Sequence, residues 1–438
     1  MTKNDCEPIR TGSRNEDIEV LRAVAILFTV MAHFRVLFFW PDSWVASIDG
    51  LPFWGGVDLF FCISGFVITG TLMRHARGAR FAELGVPFWI RRVFRIWPAA
   101  LLWLAIPLLC ARYFNDSGAF GSWRANVPGA SAAAAQVANL YFMVCEDGAG
   151  ARWPCGRLDV YWSLSLEEQF YLVFPWLFFF LRLPVLRAVL IALVLAQLFL
   201  PRPLGSDLWL MRTDAIALGV LIALSCSRGS VSPWLPAPLR ERRTATFFST
   251  LLIAMIALLC LKPFALQVGA LALVSAGLVL VASANANVIC PVPALRPFLL
   301  WTGSRSFAIY LAHNPCFWAT REIFNRLYPG TAFSDAFVIP VAIVGTGLVI
   351  LASEATYRIV ERPIRDLGRS IADRFSARRA YSSGPRPVPP AAGGADDHTT
   401  CGRPEVGGGS KWATVRGSTL PAGAGALADP DPPPSGGA

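Results

Sequence analysis

Apolar runs long enough to cross a bilayer recur along most of this chain, and they restrict its fold more than any other feature. Ten candidate spans start near Val20, Phe53, Ile96, Leu166, Val185, Leu208, Ala245, Phe264, Phe298 and Phe333. Each runs about 16 to 22 residues, which is helix length for the hydrocarbon core. The expectation is an all-α, polytopic transmembrane helix bundle of about ten spans. Composition agrees: 54% of the 438 residues are hydrophobic and only 16% charged, where soluble domains carry nearer a quarter. No internal repeat of the kind found in many transporters is evident.

Arginine sets the expected orientation. Arg74, Arg77, Arg80, Arg91, Arg92 and Arg95 follow the second span, Arg182 and Arg187 the fourth, Arg228, Arg240, Arg242 and Arg243 the sixth, and Arg358, Arg362 and Arg365 the tenth. Arginine-poor loops alternate with these, which predicts that both termini are cytoplasmic. The same clustering accounts for most of the net charge of +10, so nucleic acid is not an expected partner. The first apolar run follows a polar stretch and no small-residue cleavage site follows it, which reads as a retained first helix rather than a signal peptide.

The chain divides into a cytoplasmic segment over 1–17, a transmembrane domain over 18–366, and a tail over 376–438. In the tail, "SSGPRPVPPAAGGADD" and "DPDPPPSGGA" lack the apolar content to bury a core, and disorder is expected there. Most of the ten cysteines lie in apolar runs, where cysteine is usually a small hydrophobe. Cys145 and Cys155 instead bracket the polar "CEDGAGARWPC", in a loop expected to face outward, where a disulfide can form. No CxxC or Cys/His cluster points to a metal.

The first span carries chemistry as well as lipid-facing surface. Arg22 and His33 are eleven residues apart, roughly 1100° of helical rotation, so they share one face about 16 Å apart. A charge in hydrocarbon costs about 2.5–3.5 kcal/mol on insertion scales, which turns such a face toward a cavity. The alternative is a snorkelling arginine and a histidine satisfied by a backbone carbonyl. In the first case a neutral His33 could take a proton from a substrate hydroxyl.

The stretch "IEVLRAVAILFTVMAH", with arginine, ten residues and histidine, resembles the opening of the acyltransferase-3 family of bacterial membrane O-acyltransferases. "GVDLFFCISGF" (Gly56 to Phe66) is similar to the second-helix motif. "FWIRRVFRIWP" (Phe88 to Pro98) resembles the Arg-x-x-Arg-Ile-x-Pro motif at Arg92 and Arg95. "YWSLSLEEQFY" (Tyr161 to Tyr171) matches the next, with its glutamate at Glu167. "IYLAHNP" and "VERP" match the last two. The likeness runs from about Asp17 to Arg365. Val20 departs from it, standing where many members have glycine.

The resemblance implies transfer of an acyl group, usually acetyl from cytoplasmic acetyl-CoA, to a hydroxyl on a surface polysaccharide, lipid-linked glycan, peptidoglycan or secreted glycosylated product. It implies a multi-pass protein of the bacterial inner membrane, with the bilayer, acyl-CoA and a carbohydrate acceptor as partners and no permanently bound cofactor. Some members carry an added serine-esterase-like domain; nothing in this sequence resembles it.

On that basis the catalytic candidates are His33, Arg22 and Glu167. Arg92 and Arg95 are expected to hold donor phosphates, because guanidinium forks suit phosphate oxygens; Arg91 reads as a topology residue. Glu168 is about 100° round the helix from Glu167, so only one faces the site. Asp58, Ser64, Trp162 and His313 are candidates for substrate contact or structural polar roles. Ser64 reads as a packing or helix-bonding hydroxyl rather than a nucleophile, since no base and orienter flank it. Pro315 can free a carbonyl that His313 could satisfy locally. Arg212 and Asp214 could pair with each other or across helices. A transporter or flippase is the alternative function, since charges within spans also mark translocation paths. A membrane scaffold would leave Arg22 and His33 without a role.

Overall fold

The computed structural model describes residues 15–40, 53–75, 80–145, 154–203, 206–226 and 235–382. Fourteen α-helices order the described residues, and no strand occurs among them: α1 (Glu16–His33), α2 (Gly56–His75), α3 (Phe81–Tyr113), α4 (Trp123–Ala134), α5 (Ala138–Phe142), α6 (Tyr161–Phe180), α7 (Leu183–Leu198), α8 (Asp214–Ser225), α9 (Arg242–Leu261), α10 (Gln267–Ala282), α11 (Arg296–Ser304), α12 (Ser306–Leu327), α13 (Val338–Ala355) and α14 (Arg362–Ser382). A π-helical segment, Thr356–Glu361, joins α13 to α14. Most of the expected tail and most of segment 1–17 lie outside the described residues. α14 runs to Ser382, past the expected start of the tail at 376.

Local sequence explains the helix starts. The Asn15 side chain accepts the Ile18 N–H at 3.0 Å, and Glu16, Asp17 and Glu19 fill the first turn of α1, where acids suit the helix dipole. The Arg80 backbone N–H donates to the Glu83 carboxylate at 2.9 Å, which starts α3 well before the expected span at Ile96. α3 then continues for 33 residues through Pro87, Pro98 and Pro107. Arg91, Arg92 and Arg95 are therefore on a helix, not in a loop.

Among the described residues, six helical stretches are long and apolar enough to cross a membrane, including Glu16–Leu37, Gly56–Arg74 and Phe81–Tyr113. The expected spans at Val185 and Phe264 fall on shorter apolar helices, Leu183–Leu198 and Gln267–Ala282. That at Leu166 falls on α6, and that at Phe298 starts in α11 and continues into α12; polar residues lower the hydropathy of α6 and α12. The ninth span also starts later than expected: α11 ends at Ser304, Arg305 caps it, and the long helix begins at Ser306. Large apolar side chains such as Leu172, Phe180, Ile339, Ile343 and Leu351 are exposed on the outside of the bundle, as a lipid-facing surface requires.

The tightest helix pair is α2 with α8. A Cβ at Gly65 would stand 2.1 Å from the Ile216 carbonyl oxygen, and one at Gly219 would stand 2.0 Å from that of Cys62. Only glycine permits so close a backbone approach, the membrane substitute for hydrophobic driving force between helices. α1, α2, α3, α6 and α12 wrap the space described next. In the loop before α6, the Sγ atoms of Cys145 and Cys155 are at bonding distance and their Cα atoms are 5.0 Å apart.

Candidate active site

A cavity of about 810 Å³, its open mouth included, lies between these five helices. Arg22 of α1, Ser64 of α2, Arg92 and Arg95 of α3, and Glu167 and Tyr171 of α6 all line it. These side chains come from segments up to 149 positions apart, and five of the six are sequence candidates. The sixth, Tyr171, ends the motif that begins at Tyr161 and is an addition from the structure. Its signal was its position one turn after Glu167 on the same helix face.

Charge is distributed unevenly round the wall. Arg22 lies 3.4 Å from the Glu19 carboxylate. Arg92 stacks on the rings of Phe88 and Tyr171, with its guanidinium carbon 5.5 and 5.2 Å from their centroids. Neither Arg92 nor Arg95 makes a hydrogen bond or ion pair to a described residue. Arg91, on another face of α3, instead pairs with Asp373 at 2.8 Å. Two guanidiniums in an apolar bundle without hydrogen-bond or ion-pair partners among the described residues cost free energy.

Beside Arg92 runs a chain of hydroxyl and acid. Tyr171 donates to Glu167 Oε2 at 3.2 Å, and Ser64 Oγ bonds the Tyr171 hydroxyl. Ser64 is thus a hydroxyl bonded across helices, through the Tyr171 phenol, to a carboxylate. Glu168 faces away and accepts the Trp97 indole N–H at 3.3 Å.

His33 lies just beyond this wall. Its ring centroid is 5.0 Å from that of His313, edge to face, and His313 is 5.9 Å from the cavity-lining Tyr310. Tyr310 donates to the Val160 carbonyl at 2.6 Å and bonds Ser163 Oγ at 2.7 Å. His33 Nδ1 is 2.8 Å from the Thr29 carbonyl oxygen. A carbonyl only accepts, so Nδ1 carries the proton and Nε2 is the basic nitrogen. His313 is held the same way by the Tyr310 carbonyl at 2.7 Å, and its Nε2 is buried without a hydrogen-bond partner. That carbonyl is not the one Pro315 frees, which belongs to Leu311 four residues upstream.

Asp58 and Trp162 lie elsewhere. Arg212 pairs with Asp58 at 3.0 Å, both side chains at most 1% exposed, inside a cage of Trp54, Trp162 and Trp209 at 5.8, 5.0 and 4.0 Å. Asp214 takes Arg202 at 2.6 Å. The two therefore do not pair with each other: Arg212, just before α8, takes Asp58 of α2, and Asp214 takes Arg202 of the segment after α7. Replacing Asp58 with alanine leaves Arg212 buried and uncompensated. It should cost roughly 3–5 kcal/mol, whereas Asp58→Leu with Arg212→Met should recover most of that loss. Thermal melting of detergent-extracted protein tests both, and an Asp58→Ala protein that melts like the wild type would remove the pair from the fold's supports.

The Acyltransferase domain of the acyltransferase-3 family matches residues 15–358. The chain is 26% identical over 380 residues to the peptidoglycan O-acetyltransferase OatA of Listeria monocytogenes serovar 1/2a, covering 80% of this chain and 56% of that protein. It is 27% identical over 397 residues to the putative peptidoglycan O-acetyltransferase YrhL of Bacillus subtilis strain 168, at 83% and 57% coverage. It is 25% identical over 391 residues to the O-acetyltransferase OatA of Staphylococcus aureus strain NCTC 8325, at 80% and 57%. The chain thus spans little more than half the length of these relatives. No solved structure matches it. With the family's domain covering nearly all of the helical bundle and every wall of the cavity, the chain belongs to the acyltransferase-3 family.

Proposed function

We propose that the chain is an integral membrane O-acyltransferase that moves an acetyl group from a cytoplasmic acyl-CoA to a hydroxyl of a carbohydrate such as peptidoglycan. The observation that carries this is the unpartnered pair Arg92 and Arg95, facing a cavity together with Arg22. Coenzyme A brings several phosphate charges that such a site lacks, and guanidiniums bind phosphate in bidentate fashion. The names of the relatives support the carbohydrate acceptor.

The site residues divide the work as follows. Arg22, Arg92 and Arg95 hold the donor with its thioester in the cavity. The basic Nε2 of His33 takes the proton of the acceptor hydroxyl as that oxygen attacks the thioester carbonyl. The carbonyl oxygen becomes an oxyanion, which the cationic wall stabilises. Collapse breaks the carbon–sulfur bond, and the proton passes from His33 to the thiolate. An ester and free CoA leave. The N-terminus of α1 faces the cytoplasm in this reading, and the bilayer is the bacterial inner membrane.

Purified protein in liposomes, given acetyl-CoA labelled in the acetyl group and soluble peptidoglycan fragments, tests the proposal. Labelled ester should accumulate in step with released CoA. Fragment movement across the bilayer without acylation would make the protein a transporter instead.

A further inference from the structure

Glu361 takes no part in the chemistry above, yet it is only 3% exposed. It ends the π-helical segment Thr356–Glu361, and π turns often occur where a functional side chain is turned out of α-helical register. The segment is fastened to α3, because the Trp103 indole N–H donates to Thr356 Oγ1 at 3.1 Å. Further on, α14 approaches α3 so closely that a Cβ at Gly368 would stand 2.3 Å from the Phe94 Cβ. Glu361, Arg365 and Gly368 follow i, i+4, i+7 spacing, so they share the face that meets α3 beside Arg95.

The carboxylate there is surrounded by positive charge. Its Oε1 is 3.9 Å from Arg365, and its Oε2 is buried with no hydrogen-bond partner. The charges that act on it are those of Arg95, Arg22, Arg365 and Arg305, in falling order. Arg95 in turn feels the like charges of Arg22 and Arg92, and Glu361 is the carboxylate prominent among the groups acting on it. Glu361 therefore offsets Arg95 electrostatically without a hydrogen bond or ion pair to it, and Arg95 still lines the cavity.

We propose that Glu361 is the resident counter-ion of the donor-site arginines. It offsets Arg22 and Arg95 while the cavity is empty, and the phosphates of the donor take over that role on binding. This rests on the acyl-CoA reading of the cavity. The arrangement favours polyanions: a singly charged ligand adds little to a site that already holds one carboxylate, whereas a polyphosphate outweighs it.

Glu361→Gln keeps the side-chain shape and removes the charge. Binding of labelled CoA to the purified full chain in detergent should tighten roughly tenfold at low ionic strength, with a steeper salt dependence. Inorganic pyrophosphate should compete better than it does in the wild type, and Glu361→Asp should return CoA affinity toward the wild-type value. If the variant is unstable alone, CoA present during extraction should restore it, with a larger CoA-induced rise in melting temperature than in the wild type. Equal or weaker CoA binding by a folded variant, or a variant that CoA does not rescue, overturns the proposal. Wild-type protein that binds no CoA would instead sink the donor reading itself.

Discussion

Replacing His33 with alanine is expected to lower acyl transfer by about 10²–10⁴-fold, the usual contribution of a positioned general base, while CoA binding stays near the wild-type level. The separation of the two effects follows from geometry. His33 sits beyond the cavity wall beside His313, away from the arginines that line the donor space. His33→Gln should fail as completely, because an amide can hydrogen-bond but cannot take up a proton. Both variants need assay at matched membrane abundance with a CoA-binding measurement alongside. Near-normal transfer by either one would return His33 to a membrane histidine satisfied by the Thr29 carbonyl. Loss of CoA binding in step with activity would move His33 into the donor site.

What could be read from the sequence was whatever depends on one helix at a time. The common face of Arg22 and His33 needs only helical rotation, and so does the divergence of Glu167 from Glu168. The structure does turn Glu167 to the cavity and Glu168 to Trp97. Contacts between distant segments were not legible. Ser64 reaches Tyr171 across 107 positions, and Arg212 selects Asp58 across 154 rather than its near neighbour Asp214. The ion pairs exchanged partners because bundle packing decides which charges meet. Hydropathy also misleads where buried polar residues are concentrated: α6 and α12 carry Glu167, Glu168, His313 and Asn314, and so read as weaker spans than purely lipid-facing helices. The π-helical segment has no sequence signature, so the aim of Glu361 could not be foreseen.

Alanine at Arg95 is expected to weaken CoA binding by about 10- to 150-fold, corresponding to the roughly 1.5–3 kcal/mol of a hydrogen bond to a charged group. Arg95 faces the cavity with no hydrogen-bond or ion-pair partner among the described residues, so truncation removes ligand contacts and leaves no orphaned acid at hydrogen-bond distance. Arg92→Ala should weaken binding too, and it should also disturb the Tyr171 ring on which that guanidinium stacks, adding a fall in turnover. Lysine at either site should rescue only in part, because an ammonium keeps the charge and loses the planar fork. Arg91 supplies the internal control. It is on the same helix and is equally cationic, but it is spent on Asp373 at 2.8 Å, so Arg91→Ala should leave CoA affinity unchanged. If the three alanine variants fold and bind CoA alike, positive charge on α3 serves topology rather than the donor, and the phosphate role of Arg92 and Arg95 is wrong. If only Arg92 and Arg95 matter, the cavity has separated site arginines from orienting ones within five residues of one helix.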